Sequence, residues 1–238
     1  MILERTNFMD MKDIEKQLEE HFPIDKNQME ELKRVADIYQ LCQAGANEVG
    51  TKLENLDAEF QFKYSHNPIH YMEERMKAFP SLVGKLRRKK LPLTSQSIKD
   101  HIFDVAGIRV ITNYIDDIFR IEDSLVNQSD ITLIRRKNYV AHPKTSGYRS
   151  LHLIVSVPVF EAEGARDAIV EVQIRTVGME MWASLEHQLR YKTDIDRSIV
   201  DQYSNSLVGY SDQLNLIELK MQEIFKHLNG LESYQAKG

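Results

Sequence analysis

The residues richest in chemistry fall in two short runs and one isolated carboxylate. In HPKTSGYRSLH (142–152), Lys144 and Arg149 offer positive charge to phosphate oxygens, and Tyr148 offers a plane on which a base can stack. Gly147 lets the chain pass close to a ligand. Basic residues interleaved with an aromatic suit a nucleotide better than a bare phosphate. In AIVEVQIRT (168–176), the alternation of a strand puts Val170, Val172 and Ile174 on one face and Glu171, Gln173 and Arg175 on the other. The same alternation over 149–157 groups Leu151, Leu153, Val155 and Val157, with Ser150 and His152 opposite. Solvated strand faces tend to be mixtures of Lys, Glu and Thr; one His, one Glu, one Gln and one Arg have four different uses and read as a site. Asp104 stands just before AGIRVIT (106–112), where a carboxylate can meet Glu171 from a neighbouring strand. Two carboxylates facing basic clusters are a common way for phosphoryl-transferring sites to hold Mg²⁺, a hard ion that prefers carboxylate and phosphate oxygens. Each signal has a plainer alternative: a solvated strand face, a basic turn with a surface Tyr, or Asp104 as a cap.

The elements that must position these groups follow from hydrophobic period. AGIRVIT, DITLIRR (130–136), RSLHLIVSVPV (149–159) and AIVEVQIRT are short, β-branched runs bounded by Gly, Pro and polar residues, which predicts strands. Helical patterns lie beside them at 80–90, 94–101, 115–128 and 178–192. Strands and helices mix without a regular βαβ repeat, so the fold class is α+β: a central mixed sheet of about five strands flanked by helices. Two further helices are predicted before the strands, over 8–22 and 26–60, with Leu32, Ala36, Tyr39, Ala46, Leu53, Leu56 and Phe60 at helical spacings. Gly45 and Gly50 weaken the second and allow a bend. At the other end, Val200, Tyr203, Leu207, Tyr210, Leu214, Ile217, Met221, Ile224, Leu228 and Leu231 step by three and four without a break, a heptad seam that needs a covering surface. That surface is either the chain's own helix 26–60 or a second subunit. The expected organisation is N-terminal helices over 1–63, a core over 64–192 and a C-terminal helix over 193–238.

Charge is distributed unevenly. The 238 residues are 42% hydrophobic and 28% charged with net charge −5, enough apolar content for a core and no basis for whole-surface binding of a polyanion. Residues 1–60 hold seven Lys/Arg against fourteen Asp/Glu, whereas 75–90 hold seven bases and no acid and 134–149 hold five more. Two basic clusters in an acidic chain point to a local anionic ligand. No apolar run reaches membrane-spanning length, MILERTNFMDMKD meets charge too early for a signal peptide, and the lone Cys42 excludes an internal disulfide framework. A cytoplasmic protein with no membrane association is expected.

DHIFDVAGIRV, HPKTSGYRSLH, VEVQIRT and MEMWASLEH, in that order across residues 64–192, resemble the RelA/SpoT-type alarmone synthetase family. The chain is similar to the small synthetases, and HNPI (66–69) with the acidic helical N-terminus resembles the RelP type more than the RelQ type. The resemblance implies a nucleotidyltransferase-like fold. It implies transfer of pyrophosphate from ATP to the 3′-hydroxyl of GDP or GTP with Mg²⁺, in a homotetramer. It further implies that Arg75 and Arg109 stack on the two faces of the adenine, and that Lys77, Ser81, Lys85 and Arg88 line the ATP triphosphate. Asp104 would hold the metal, and Glu171 would orient or deprotonate the 3′-hydroxyl and share that metal. Tyr148 would stack on guanine, Lys144 and His152 would meet the acceptor's phosphates, and Gln173 would support the site. Glu180 stands where RelQ-type members have an Asn near the guanine, and its carboxylate can accept from the guanine N1 and N2 groups. Two rivals remain: a non-catalytic nucleotide- or RNA-binding module on the same basic face, and a nucleotidyltransferase that releases pyrophosphate instead of AMP. RNA can also coexist with synthesis as a regulator.

Overall fold

The computed structural model describes residues 3–4, 26–191 and 202–230; the helix expected over 8–22 lies outside them. Helix α1 (Lys26–Lys63) runs as one unbroken element. It buries Ala36, Tyr39, Cys42, Ala46, Val49, Leu53 and Phe60 at steps of three, four and seven, the stripe expected of a helix lying on a sheet. Gly45 does not break it. A Cβ there would come within 2.4 Å of the Ala168 Cβ, so the glycine lets the helix backbone press against the central strand.

The sheet has five strands: β1 (Ile69–Met76), β2 (Ala106–Thr112), β3 (Thr132–Asn138), β4 (Leu151–Glu161) and β5 (Gly164–Thr176). Their spatial order is β1-β2-β5-β4-β3, with β2 and β5 parallel and every other neighbour antiparallel. The sheet is mixed, as the lack of a βαβ repeat implies. Strand β1 is the one the hydrophobic pattern did not announce, because IHYMEERM is rich in charge. Short helices α2 (Phe79–Arg88) and α3 (Ser95–His101) join β1 to β2, and α4 (Ile115–Val126) follows β2. Pro80 stands at the start of α2, and the Thr94 side chain accepts from the Ser97 N–H at the start of α3. Helices α1 and α4 cover the apolar face of the sheet, where Leu151, Leu153, Val155, Val170, Val172 and Ile174 are fully buried in one continuous core.

The opposite face is polar, and register aligns it in rows. Glu73, Arg109, Gln173, His152 and Lys137 are successive partners across all five strands; Arg75, Gly107, Glu171, Ile154 and Arg135 form the next row. Helix α5 (Val177–Tyr191) leaves the end of β5 directly, and α6 (Ser204–Leu228) packs on it. The Trp182 indole N–H donates to the Leu207 carbonyl, Glu218 accepts from the Gly178 N–H, and Gln222 accepts from the Asp116 N–H. His66 of HNPI joins the same corner: it bonds Asp117 at 2.8 Å and lies against Tyr114 and Phe225. Most of the apolar seam of α6 therefore faces away from the chain's own body: Tyr203, Tyr210, Ile217, Met221, Ile224 and Leu228 are exposed, Leu207 and Leu214 are half-buried, and Ser211 and Gln222 are buried. Val200 and Leu231 lie outside the described residues.

Candidate active site

Glu171 from the polar rows and Asp104 from the segment before β2 stand between two cavities. Asp104, in the irregular segment that leads into β2, accepts hydrogen bonds on Oδ2 from Lys77 at 2.9 Å and Lys85 at 2.7 Å. Burial raises the affinity of its carboxyl for a proton, but the bonds and charges of Lys85 and Lys77 together hold it below the usual carboxylate range. Its Oδ1 is buried with no hydrogen-bond partner among the described residues. Glu171, on β5, is bonded to His152 Nδ1 at 3.0 Å through Oε1 and accepts from Gln173 Nε2 at 2.7 Å through Oε2. Burial pushes this carboxyl up, His152 and Gln173 pull it down, and the net result is again a lowered value; the nearby Asp104 charge opposes that lowering. Both groups are ionised near neutrality.

The larger cavity, about 430 Å³, is lined by Arg75, Lys77, Ser81, Arg109, Gln173 and His187 together with both carboxylates. The smaller, about 220 Å³, is lined by Lys85, Lys89, His101, Arg135, Lys137 and His152 together with the same two carboxylates. Asp104 and Glu171 thus stand on the partition, open to both sides. The loop 142–149 borders this region through Tyr148, whose hydroxyl bonds His152 Nε2 at 2.9 Å and accepts from Arg175 Nη2. Lys144 lies over the Tyr148 ring at 4.5 Å, and Arg175 at 4.9 Å. Burial and the charges of Lys137 and Arg175 lower the Lys144 ammonium from its ordinary value. Helix α6 braces this loop: Ser211 donates to the Gly147 carbonyl at 2.6 Å, and Arg149 pairs with Asp212 at 2.9 Å.

Arg75, Lys77, Ser81 and Arg109 therefore gather on one side, whereas Lys85, expected with them, lines the other and reaches Asp104 from there. Arg88 is exposed on the last turn of α2 and lines neither cavity. Glu180 is already engaged: its two carboxylate oxygens accept from Arg109 at 2.8 Å and Arg175 at 2.5 Å. Sequence reasoning placed Arg175 on the polar face but gave it no role; it missed Glu73, and it counted in a basic cluster, without assigning, Arg135 and Lys137. The alternation in TLIRRKN carried the signal for the last two; Glu73 was hidden with its strand. For a metal, no cluster of three or more His, Cys, Asp or Glu occurs among the described residues. Two carboxylates with an uncommitted Asp104 Oδ1 fit Mg²⁺ of the kind that phosphate oxygens and water complete, rather than an all-protein cage.

Residues 74–196 match the family model described as the region found in RelA/SpoT proteins. The chain is 34% identical over 204 residues to the GTP pyrophosphokinase YwaC of Bacillus subtilis, an alignment covering 86% of this chain and 95% of that protein. Among solved structures it is similar to the small alarmone synthetase 1 of Bacillus subtilis bound to its product pppGpp. That match has a TM-score of 0.71 and 31% identity, over 83% of this chain and 97% of that one. The same enzyme bound to AMPCPP matches with a TM-score of 0.66 and 29% identity, over 83% and 97%.

Proposed function

The chain belongs to the RelA/SpoT family, and we propose from that premise that it transfers the pyrophosphoryl group of ATP to the ribose 3′-hydroxyl of GDP or GTP. The products are AMP and ppGpp or pppGpp. The observation that carries this reading is the partition: two separate cavities with basic walls share the same two carboxylates, as a two-substrate phosphoryl transfer requires. ATP takes the larger cavity, its adenine between Arg75 and Arg109 and its phosphates toward Lys77, Ser81 and Lys85. The acceptor comes from the side of His152, Tyr148 and Lys144. Asp104 and Glu171 would hold Mg²⁺, which when bound draws charge from the phosphate oxygens.

Glu171 aligns the 3′-hydroxyl by accepting its hydrogen bond. The 3′-oxygen attacks the β-phosphorus, the bond from that phosphorus to the α–β bridging oxygen breaks, and AMP leaves. Glu171 receives the hydroxyl proton as the new bond forms. Its lowered pKa makes it a weak base, which suits a loose transition state in which that proton becomes acidic late. Catalysis rests on positioning and charge, with Lys77 and Lys85 supplying the fixed positive field.

Residues 64–192 form the catalytic core in this reading, flanked by the helices of 1–63 and 193–238, in a cytoplasmic enzyme. Assembly as a homotetramer is supported by the exposed seam of α6 and by Met181, Leu185 and Leu189, which expose a second apolar stripe on α5. Incubating the protein with ATP and Mg²⁺, with and without GDP or GTP, tests the reaction. AMP and a 3′-pyrophosphorylated guanosine nucleotide should appear only with acceptor present. Release of pyrophosphate instead of AMP would identify a different nucleotidyl transfer, and binding without turnover a non-catalytic nucleotide or RNA module. Glu171→Gln should lower turnover on the order of a hundredfold or more while ATP still binds.

A further inference from the structure

Glu180 sits at the first turn of α5 and is the meeting point of two arginines: Arg109, which lines the larger cavity, and Arg175, which lines neither cavity but bonds the acceptor-side Tyr148. Arg109 gives Nη1 to Glu180 at 2.8 Å and also approaches Glu73 at 3.4 Å, while its Nε is buried with no partner among the described residues. Its guanidinium is thus held at one end by carboxylates, an arrangement compatible with a base stacking on its face. Arg175 is buried, gives Nη1 to Glu180 at 2.5 Å, and gives Nη2 to the Tyr148 hydroxyl and to Gln173 at 3.1 Å. Tyr148 bonds His152, His152 bonds Glu171, and Gln173 bonds Glu171. One carboxylate therefore links the larger cavity's Arg109 to the ring of hydrogen bonds around the acceptor-side Tyr148. Burial and the adjacent Arg175 charge pull the Arg109 guanidinium down, and Glu180 opposes both, as a counter-ion shared by two cations does.

We propose that Glu180 is a positioning residue that couples the ATP site to the acceptor site, holding Arg109 and, through Arg175, Tyr148 in register; the inference rests on the two-cavity reaction above. It gives this carboxylate a second role beside the expected reading of the guanine: each of its oxygens serves one arginine. Binding at either site then favours the arrangement the other needs, and linkage makes that effect reciprocal.

Glu180→Gln tests this with size preserved. The glutamine keeps one acceptor oxygen, but its amide nitrogen cannot accept from the second arginine, so the link opens while each arginine retains other partners. Initial rates of AMP formation over a grid of ATP and GDP concentrations give both KM values, kcat and the dependence of each KM on the other substrate. The expected result is a rise in both KM values on the order of tenfold with loss of their mutual dependence, and kcat changed less, because Glu180 touches no reacting atom. A rise in the acceptor KM alone would return Glu180 to guanine recognition. Unchanged constants in a folded variant, even with a lower melting temperature, would leave it merely structural; either outcome overturns the proposal. Should Glu180→Gln not fold, Glu180→Asp keeps the charge but is a methylene too short to span both arginines, and the same criteria apply. A wild-type protein that forms no AMP overturns the reaction and this coupling together, whereas an active wild type with an indifferent variant overturns the coupling alone.

Discussion

Asp104 is buried and yet ionised, because Lys85 and Lys77 more than offset the cost of desolvation. A carboxylate whose folded pKa is lowered contributes stability that is complete above its unfolded value, about 4, and is lost as pH falls through the folded value. Asp104→Asn should therefore destabilise the protein at pH 7, and the gap from wild type should close as pH drops below about 4. Urea unfolding across that range measures it; a gap that widened in acid would reverse the sign and the assignment. Tyr148 makes a different case. If only its ring mattered, Tyr148→Phe would be mild, but the hydroxyl joins Arg175 to His152. Removing it should cost about 1–3 kcal/mol of stability, seen by denaturant unfolding, and raise the acceptor KM. At this scale Glu171, Gln173 and His152 were legible in the sequence, because alternation alone decides which side chains share a strand's face, and Asp104 was legible from its place just before AGIRVIT. The partners of Glu180 were not, because they depend on how β1, β2 and β5 lie beside one another, and register between distant segments leaves no mark on a single strand's pattern.

Among the elements, α6 is the one whose pattern left two outcomes open. Its seam of large apolar residues needed a cover, either helix 26–60 or a second subunit, and most of it faces away from the chain's own body, to which α6 is held by Ser211, Glu218, Gln222 and Phe225. Hydrophobic period finds the apolar face of a helix and says nothing about which neighbour takes it. Ser211 matters because α6 must come close to the loop 142–149. Gly147 has φ +90°, and a Cβ there would lie 3.1 Å from the Val208 Cα and 3.2 Å from the Ser211 Cβ. Gly147→Ala thus combines a left-handed backbone, costing about 1–2 kcal/mol, with a displacement of α6 from the loop. The acceptor KM should rise well above any change in the ATP KM, and amide hydrogens of 142–149 should exchange faster. Equal effects on both substrates would mean that α6 braces the whole site and not this loop. Strand β1 was illegible for the opposite reason: its charges, among them Glu73 and Arg75, serve the site and so erase the apolar alternation that would have announced it.

For the whole molecule, the exposed stripes of α5 and α6 are what a folded chain of this kind would not keep in water without a use. Ile217 and Met221 are 53% and 58% exposed, so Ile217→Glu with Met221→Glu disturbs nothing in the chain's own core. Light scattering should show a smaller assembly with unchanged circular dichroism. A double variant that keeps the wild-type mass would place the subunit contact elsewhere. The chain's central strand carries one more implication, for how such a protein can vary over generations. β5 lies between β2 and β4, and its alternate side chains supply Glu171, Gln173 and Arg175 to one side and Val170, Val172 and Ile174 to the other. Exchanging one side chain for another there is a local event. Gaining or losing a single residue within 170–175 is not: every later side chain would change sides, sending an arginine into the core and a valine to the substrates. Lineages of this enzyme should drift in length at the two-residue turn between Glu161 and Gly164, and almost never within this six-residue stretch, where the genetic record should hold substitutions alone.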